Sequence, residues 1–159
     1  MSIEKVRKYF EEQGLAERII EFDVSSATVA LAAQALGCEE ARIAKTLSFM
    51  TEDGPILIVA AGDVKIDNPK YKATFQCKAK MLTHEQAETL IGHAVGGVCP
   101  FELNDGVLVY LDQSLRRFET VFPACGSSNS AIELTLLELE SLAKPCAWVD
   151  VCKKREGLA

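Results

Sequence analysis

Two apolar runs, Lys45–Met50 and Pro55–Ala61, flank the tetrapeptide Thr51-Glu52-Asp53-Gly54, and no other local pattern in the chain restricts the fold as much. Asp-Gly between β-prone runs is turn chemistry, so the spacing predicts a β-hairpin. The other segments are short and switch period often. Ser2–Gly14 carries Ile3, Val6 and Phe10 at helical spacing and closes at glycine. Ile19–Val24 alternates like a half-buried strand, and Thr28–Gly37 reads as a short helix with a glycine stop. Asp67–Phe75 is a further short helix with Pro69 in its first turn. Thr83-His84-Glu85-Gln86 and Thr135-Leu136-Leu137-Glu138 both have capping-box form and open helices to about Gly92 and Leu142. Gly106–Asp112, Thr120–Ala124, Ala131–Thr135 and Cys146–Val151 read as strands, and Lys153–Ala159 as a frayed tail.

These strands come as hairpins broken by helices, not in strict βα alternation. The expected fold is therefore a mixed α/β single domain over residues 1–159, with a mostly antiparallel mixed sheet surrounded by short helices. A doubly wound nucleotide fold is disfavoured, because the chain has neither GxGxxG nor GxxxxGKS. A length of 159 residues suits one domain with a real core. No apolar run approaches the ~20 residues of a membrane helix. The start Met1-Ser2-Ile3-Glu4-Lys5 lacks the layout of a signal peptide, so a soluble, cytoplasmic protein is expected. The 6 cysteines form no CxxC, and His84 and His93 stand apart from them, so neither a disulfide framework nor a metal site is expected. A net charge of −6 argues against a broad nucleic-acid footprint, DNA included, but permits a pocket that grips one RNA terminus.

Lys45 puts one cation in an apolar strand, either as an ordinary strand-edge lysine or as a point charge for a phosphate. Gly96-Gly97-Val98-Cys99-Pro100-Phe101 is either a tight turn before proline or a backbone N–H cradle, with the Gly97 and Val98 amides as oxyanion donors. Cys99 and Cys125 raise a thiol-nucleophile alternative in which His93 is the one plausible base. Asp63 and Asp67 sit at turn or cap positions, and Asp112 caps the Gln113–Phe118 turn.

Taken in order, Ala44-Lys45-Thr46-Leu47, Gly96-Gly97-Val98-Cys99-Pro100-Phe101, Val109-Tyr110-Leu111-Asp112 and Ala124-Cys125-Gly126 resemble the YbaK/EbsC family, the prolyl-tRNA-synthetase-associated editing domain. The resemblance runs from about Val24 to Val151 and implies a compact α/β domain with a curved mixed sheet. It also implies a free-standing hydrolase that deacylates a mischarged aminoacyl-tRNA with no metal or organic cofactor. Its partners are then an aminoacyl-tRNA, held at the acceptor end, and a synthetase. Under the resemblance Lys45, Gly97 and Val98 are catalytic, while Gly96, Cys99, Pro100, Phe101, Gly126, Ser128 and Asn129 surround the substrate. Pro100 stiffens the loop and Phe101 anchors it in the core. Glu102-Leu103 departs from the glycine that often follows Pro-Phe, and Gly126-Ser127-Ser128-Asn129-Ser130-Ala131 lacks the charged residues some members carry. Both departures fall where amino-acid selectivity is set. Walls from Val24, Phe49, Val98, Phe101 and Ala131 make a small apolar pocket, suited to alanine, serine, cysteine or 2-aminobutyrate on tRNA-Pro or a related tRNA. The rival class is a non-catalytic module that binds a tRNA end or a protein.

Overall fold

The computed structural model describes residues 2–94 and 96–155. Helix α1 (Ser2–Glu12) buries Val6 and Phe10, the residues its period singles out. Strand β1 (Ile20–Glu21) is shorter than the predicted Ile19–Val24. Helix α2 (Val29–Leu36) starts where the Thr28 hydroxyl accepts the Leu31 N–H and ends at Gly37. Strands β2 (Ile43–Thr51) and β3 (Gly54–Ala61) form the predicted hairpin, in register from Thr51↔Gly54 to Ala44↔Ala61. Strand β4 (Val64–Ile66) leads to α3 (Asn68–Phe75), capped by Asp67 as expected. Helix α4 (His84–Gln86) opens on the Thr83 capping box, with both arms made, and continues as a π-helical turn over Ala87–Ile91 to Gly92. Then follow β5 (Leu108–Asp112), β6 (Thr120–Pro123), β7 (Ser130–Ala131), β8 (Leu134–Thr135), α5 (Leu136–Ala143), β9 (Ala147–Val149) and β10 (Cys152–Lys154).

The main sheet is six-stranded, curved and mixed, in the order β8-β6-β2-β3-β5-β9. β2–β3 and β6–β8 are antiparallel, whereas β2–β6, β3–β5 and β5–β9 are parallel. The parallel pairs arise because helical or looped segments, not tight turns, separate those strands in sequence. The antiparallel pairs β1–β7 and β10–β4 flank this sheet. The predicted strand Ala131–Thr135 is split between two partners, since Ala131 pairs with Ile20 while Leu134 pairs with Val121. Lys153 and Lys154, read as part of a frayed tail, pair with Lys65 and Val64; residues 156–159 lie outside the described residues.

Side chains alternate along β2 and β3, so one sheet face collects Ala44, Leu57, Val59 and Ala61. That face packs on Val6 and Phe10 of α1 and on Leu139 and Leu142 of α5. The opposite face collects Phe49, Ile56, Ile58 and Ala60 and is covered by Tyr71 of α3 with Val149 and Val151. Asp112 does more than cap: its carboxylate accepts the Ser114 N–H at 2.9 Å and the Val151 N–H at 2.9 Å, which joins the end of β5 to the chain leaving β9.

Candidate active site

β2 is paired with β3 along its length, but its other edge is covered only in pieces. β6 covers it at Ile43 and Ala44 and then turns away. Farther along, the segment through Met81 takes over, with Met50 N–H donating to Lys80 O at 2.9 Å and Leu82 N–H to Ser48 O at 3.1 Å. By strand alternation the backbone groups of Thr46 point to this same edge and fall in the gap. A cleft of about 390 Å³ opens there. Its walls are the start of α2 (Ser26 to Val29), the β2 residues Ile43 to Thr46 and Ser48, Met81 and His84 before and in α4, Gly96 and Val98, and Ser130 with Ala131. Among the described residues that line it, Lys45 and His84 are the ionisable ones, and none is a carboxylate.

Thr46 is the polar centre of this wall. Its side chain shares a face with Ala44 and Ser48, and its buried hydroxyl has no hydrogen-bond partner. Such an orphaned donor costs stability unless something else meets it. Sequence inspection quoted Thr46 in the Ala44–Leu47 motif but gave it no role, because a threonine in a strand is ordinary; the interrupted edge beside it is what singles out its side chain. Lys45 borders the cleft as expected, although it stands opposite Ala60 on the other sheet face and its Nζ donates to Val64 O. Burial pushes its ammonium below the ordinary lysine pKa, while Cys152 and Asp63 nearby oppose this.

The two loops singled out in the sequence meet each other. A Cβ on Gly97 would lie 2.7 Å from both Gly126 C and Ser127 N, so only glycine lets these backbones approach so closely. Gly96, at φ 92°, sits over Ser128 and Ala27. Ser128 O in turn accepts the Ser26 N–H at 2.7 Å, which ties this loop to the start of α2. Of the ten site residues expected, Lys45, Gly96 and Val98 line the cleft. Gly97 corrects the expectation: it is buried, and its N–H donates to Ala94 O at 3.0 Å, so it shapes the turn and is not an oxyanion donor here. No hydrogen bond among the described residues engages the Val98 amide.

Cys99, Pro100 and Phe101 are buried beneath the turn and do not line the cleft. Phe101 does anchor the loop in the core, its ring edge-on to Phe10 with centroids 4.9 Å apart. Gly126 is buried against Gly97, and Asn129 Nδ2 donates to Phe22 O at 2.9 Å, so both lace loops together. Of the expected walls, Val98 and Ala131 are in place. Phe49 and Phe101 belong to the core, and Val24 is 62% exposed and outside the cleft. Val29, Ala32 and Ile43 supply apolar wall instead.

Cys99 Sγ is 3.6 Å from His93 Nε2, so the thiol and imidazole of the alternative reading are in contact. The thiol is not a working nucleophile. Burial pushes the Cys99 thiol up to about 12, and the imidazole nitrogen beside it is engaged with Phe101 O at 2.7 Å. Among the described residues no group of three or more His, Cys, Asp or Glu could hold a metal ion. No helix among them is long and apolar enough to cross a membrane.

Comparison with known proteins agrees with this architecture. The profile of the aminoacyl-tRNA editing domain matches residues 24–142. Protein YwhH of Bacillus subtilis, uncharacterised, is 53% identical over 157 residues, covering 98% of this chain and all of its own. The proline–tRNA ligase of Lactiplantibacillus plantarum is 24% identical over 117 residues, covering 73% of this chain but 20% of the ligase. A crystal structure described, provisionally, as a trans-editing enzyme for prolyl tRNA synthetase superposes with a TM-score of 0.85 at 29% identity, covering 96% of this chain and 97% of the other. The chain belongs to the aminoacyl-tRNA editing domain family.

Proposed function

We propose that the protein is a trans-acting deacylase that hydrolyses the ester of a mischarged aminoacyl-tRNA carrying a small amino acid, on tRNA-Pro or a related tRNA. The observation that carries this is the wall at Thr46. A strand edge with free backbone groups and an unpartnered hydroxyl faces the glycine turn across a cleft bordered, among the described residues, by Lys45 and His84 and by no carboxylate. An activated ester on a ribose needs a placed water, donors for the carbonyl oxygen and a held adenosine end. The Val98 and Thr46 amides are the donors. An ammonium has three N–H bonds, one of which Lys45 uses on Val64 O, leaving the others for a phosphate or ribose oxygen. Water oxygen bonds to the carbonyl carbon, the bond to the ribose oxygen breaks, and that oxygen leaves protonated. The amino acid departs as its carboxylate and one proton goes to solvent. Among the described residues lining the cleft there is no carboxylate to act as base, so the neighbouring ribose hydroxyl orients the water, as in the family resemblance.

Apart from Lys45, Met81, His84 and Phe122 the wall residues are small or aliphatic, so bulky and charged amino acids are disfavoured by size and desolvation, while neighbours differing by one methylene separate only ~10–200-fold. The test is a panel of purified aminoacyl-tRNAs incubated with the protein, with and without EDTA. Deacylation of alanyl-, seryl-, cysteinyl- or 2-aminobutyryl-tRNA, unchanged by EDTA, is expected. Tight binding of tRNA with no hydrolysis of any of them would leave a binding module in its place.

A further inference from the structure

We propose that His93 is a positioning residue: a buried clasp that holds the Gly96–Val98 turn in its cleft-facing shape by bonding Phe101 on the far side of the loop. This rests on the deacylase reading for its catalytic consequence and on geometry for the clasp itself. His93 is 1% exposed, and its Nε2 lies 2.7 Å from Phe101 O. A carbonyl only accepts, so Nε2 carries the proton and Nδ1 does not. Nδ1 is buried and has no partner. The imidazole is thus committed through one nitrogen, with its reach spent on closing the loop. Burial holds His93 below the ordinary histidine pKa and Lys5 adds to this, while the bond to Phe101 O opposes it, and the net lowering favours a neutral ring that donates through Nε2.

The neck of the loop is closed by further bonds that His93 completes. Asn104 N–H donates to Ile91 O at 3.0 Å, Asn104 Nδ2 to Thr89 O at 3.0 Å, and Lys5 Nζ to Gly92 O at 2.9 Å. Those ties fix the outer ends of the segment. His93 to Phe101 is the tie nearest the turn, and Phe101 is itself locked against Phe10. With both ends held, the Ala94 O to Gly97 N–H bond ties Gly97 back to Ala94 and orients the Val98 amide that follows it. Losing the clasp leaves the turn free to shift, and a misplacement of about 1 Å at a reacting centre costs ~10²-fold in rate.

Three substitutions of His93 separate this from a general packing role. Gln places an amide nitrogen near the Nε2 position, Asn places one near Nδ1 and cannot reach Phe101, and Leu removes the donor. Two readouts are taken: kcat and KM for deacylation of the best tRNA from the panel, and exchange of the Gly97 amide against amides of the β2–β3 hairpin. H93N and H93L are expected to lose ~10²-fold in kcat with KM changed less than ~3-fold, and to expose Gly97 to exchange while the hairpin stays protected. H93Q is expected to recover most of both. If H93L fails to fold, the Gln and Asn pair decides alone. Equal behaviour of Gln and Asn, or Gly97 exchange no faster than in wild type, overturns the clasp. A wild-type protein with no deacylase activity overturns the functional reading, and the exchange pattern then judges the clasp by itself.

Discussion

Gly97→Ala strikes the contact between the two loops. The added Cβ would lie 2.7 Å from Gly126 C, 2.7 Å from Ser127 N and 2.8 Å from Gly126 O, all backbone atoms that cannot rotate away. Gly97 does not occupy the left-handed region, so the cost is steric and not one of backbone conformation. A carbon–nitrogen or carbon–carbon contact relaxes at about 3.5–4.0 Å, so the loops must part by roughly 1 Å. Overpacking of this kind costs about 1–3 kcal/mol of stability. The same displacement at the donors facing the ester costs about 10²-fold in kcat/KM. Gly106→Ala is the control: its φ of 89° is strained by alanine, but nothing lies within 4 Å of the added Cβ and Gly106 does not line the cleft. Urea unfolding and deacylation rates measured on both variants separate the effects. G97A should lose stability and far more activity, and G106A stability alone. A G97A protein with wild-type kcat/KM would refute the claim that this close approach sets the catalytic geometry.

Thr46→Val removes an unpartnered buried hydroxyl, so stability should hold or rise by up to about 1 kcal/mol while kcat/KM falls about tenfold; denaturant midpoints and rates check this together. Lys45→Met keeps the aliphatic stem and removes the charge. It should raise KM and lower the slope of log affinity against log salt by about 1, read by filter binding over a salt series. His93 has a lowered pKa in the native state, so the unfolded chain binds the proton more readily. The stability His93 confers is therefore complete above the unfolded value of about 6.5 and is lost as pH falls through the lower native value, and H93Q should flatten that part of a stability–pH profile.

The hairpin, the two capping boxes and the α2 and α3 helices were legible because each is written locally, as turn chemistry or as an N-cap with its partner three residues on. The parallel pairs were not, since β3–β5 and β5–β9 join segments far apart in sequence through nothing but packing. The same division runs through the site. Gly97 and Gly126 stand out as glycines, yet only the fold shows that they touch each other instead of a ligand. Phe101 serves as the anchor expected of it, and for that reason is not a pocket wall. Thr46 lies inside the Ala44–Leu47 motif but drew no role of its own, because its importance comes from the place where β6 leaves the edge of β2.

The most direct test of the account is the rate at which a small amino acid leaves a mischarged tRNA-Pro under single-turnover conditions, with protein in excess. The account expects hydrolysis well above the spontaneous rate, reduced about 10²-fold in G97A and unaffected by a chelator. Saturable binding of the same tRNA with release no faster than in buffer would contradict it.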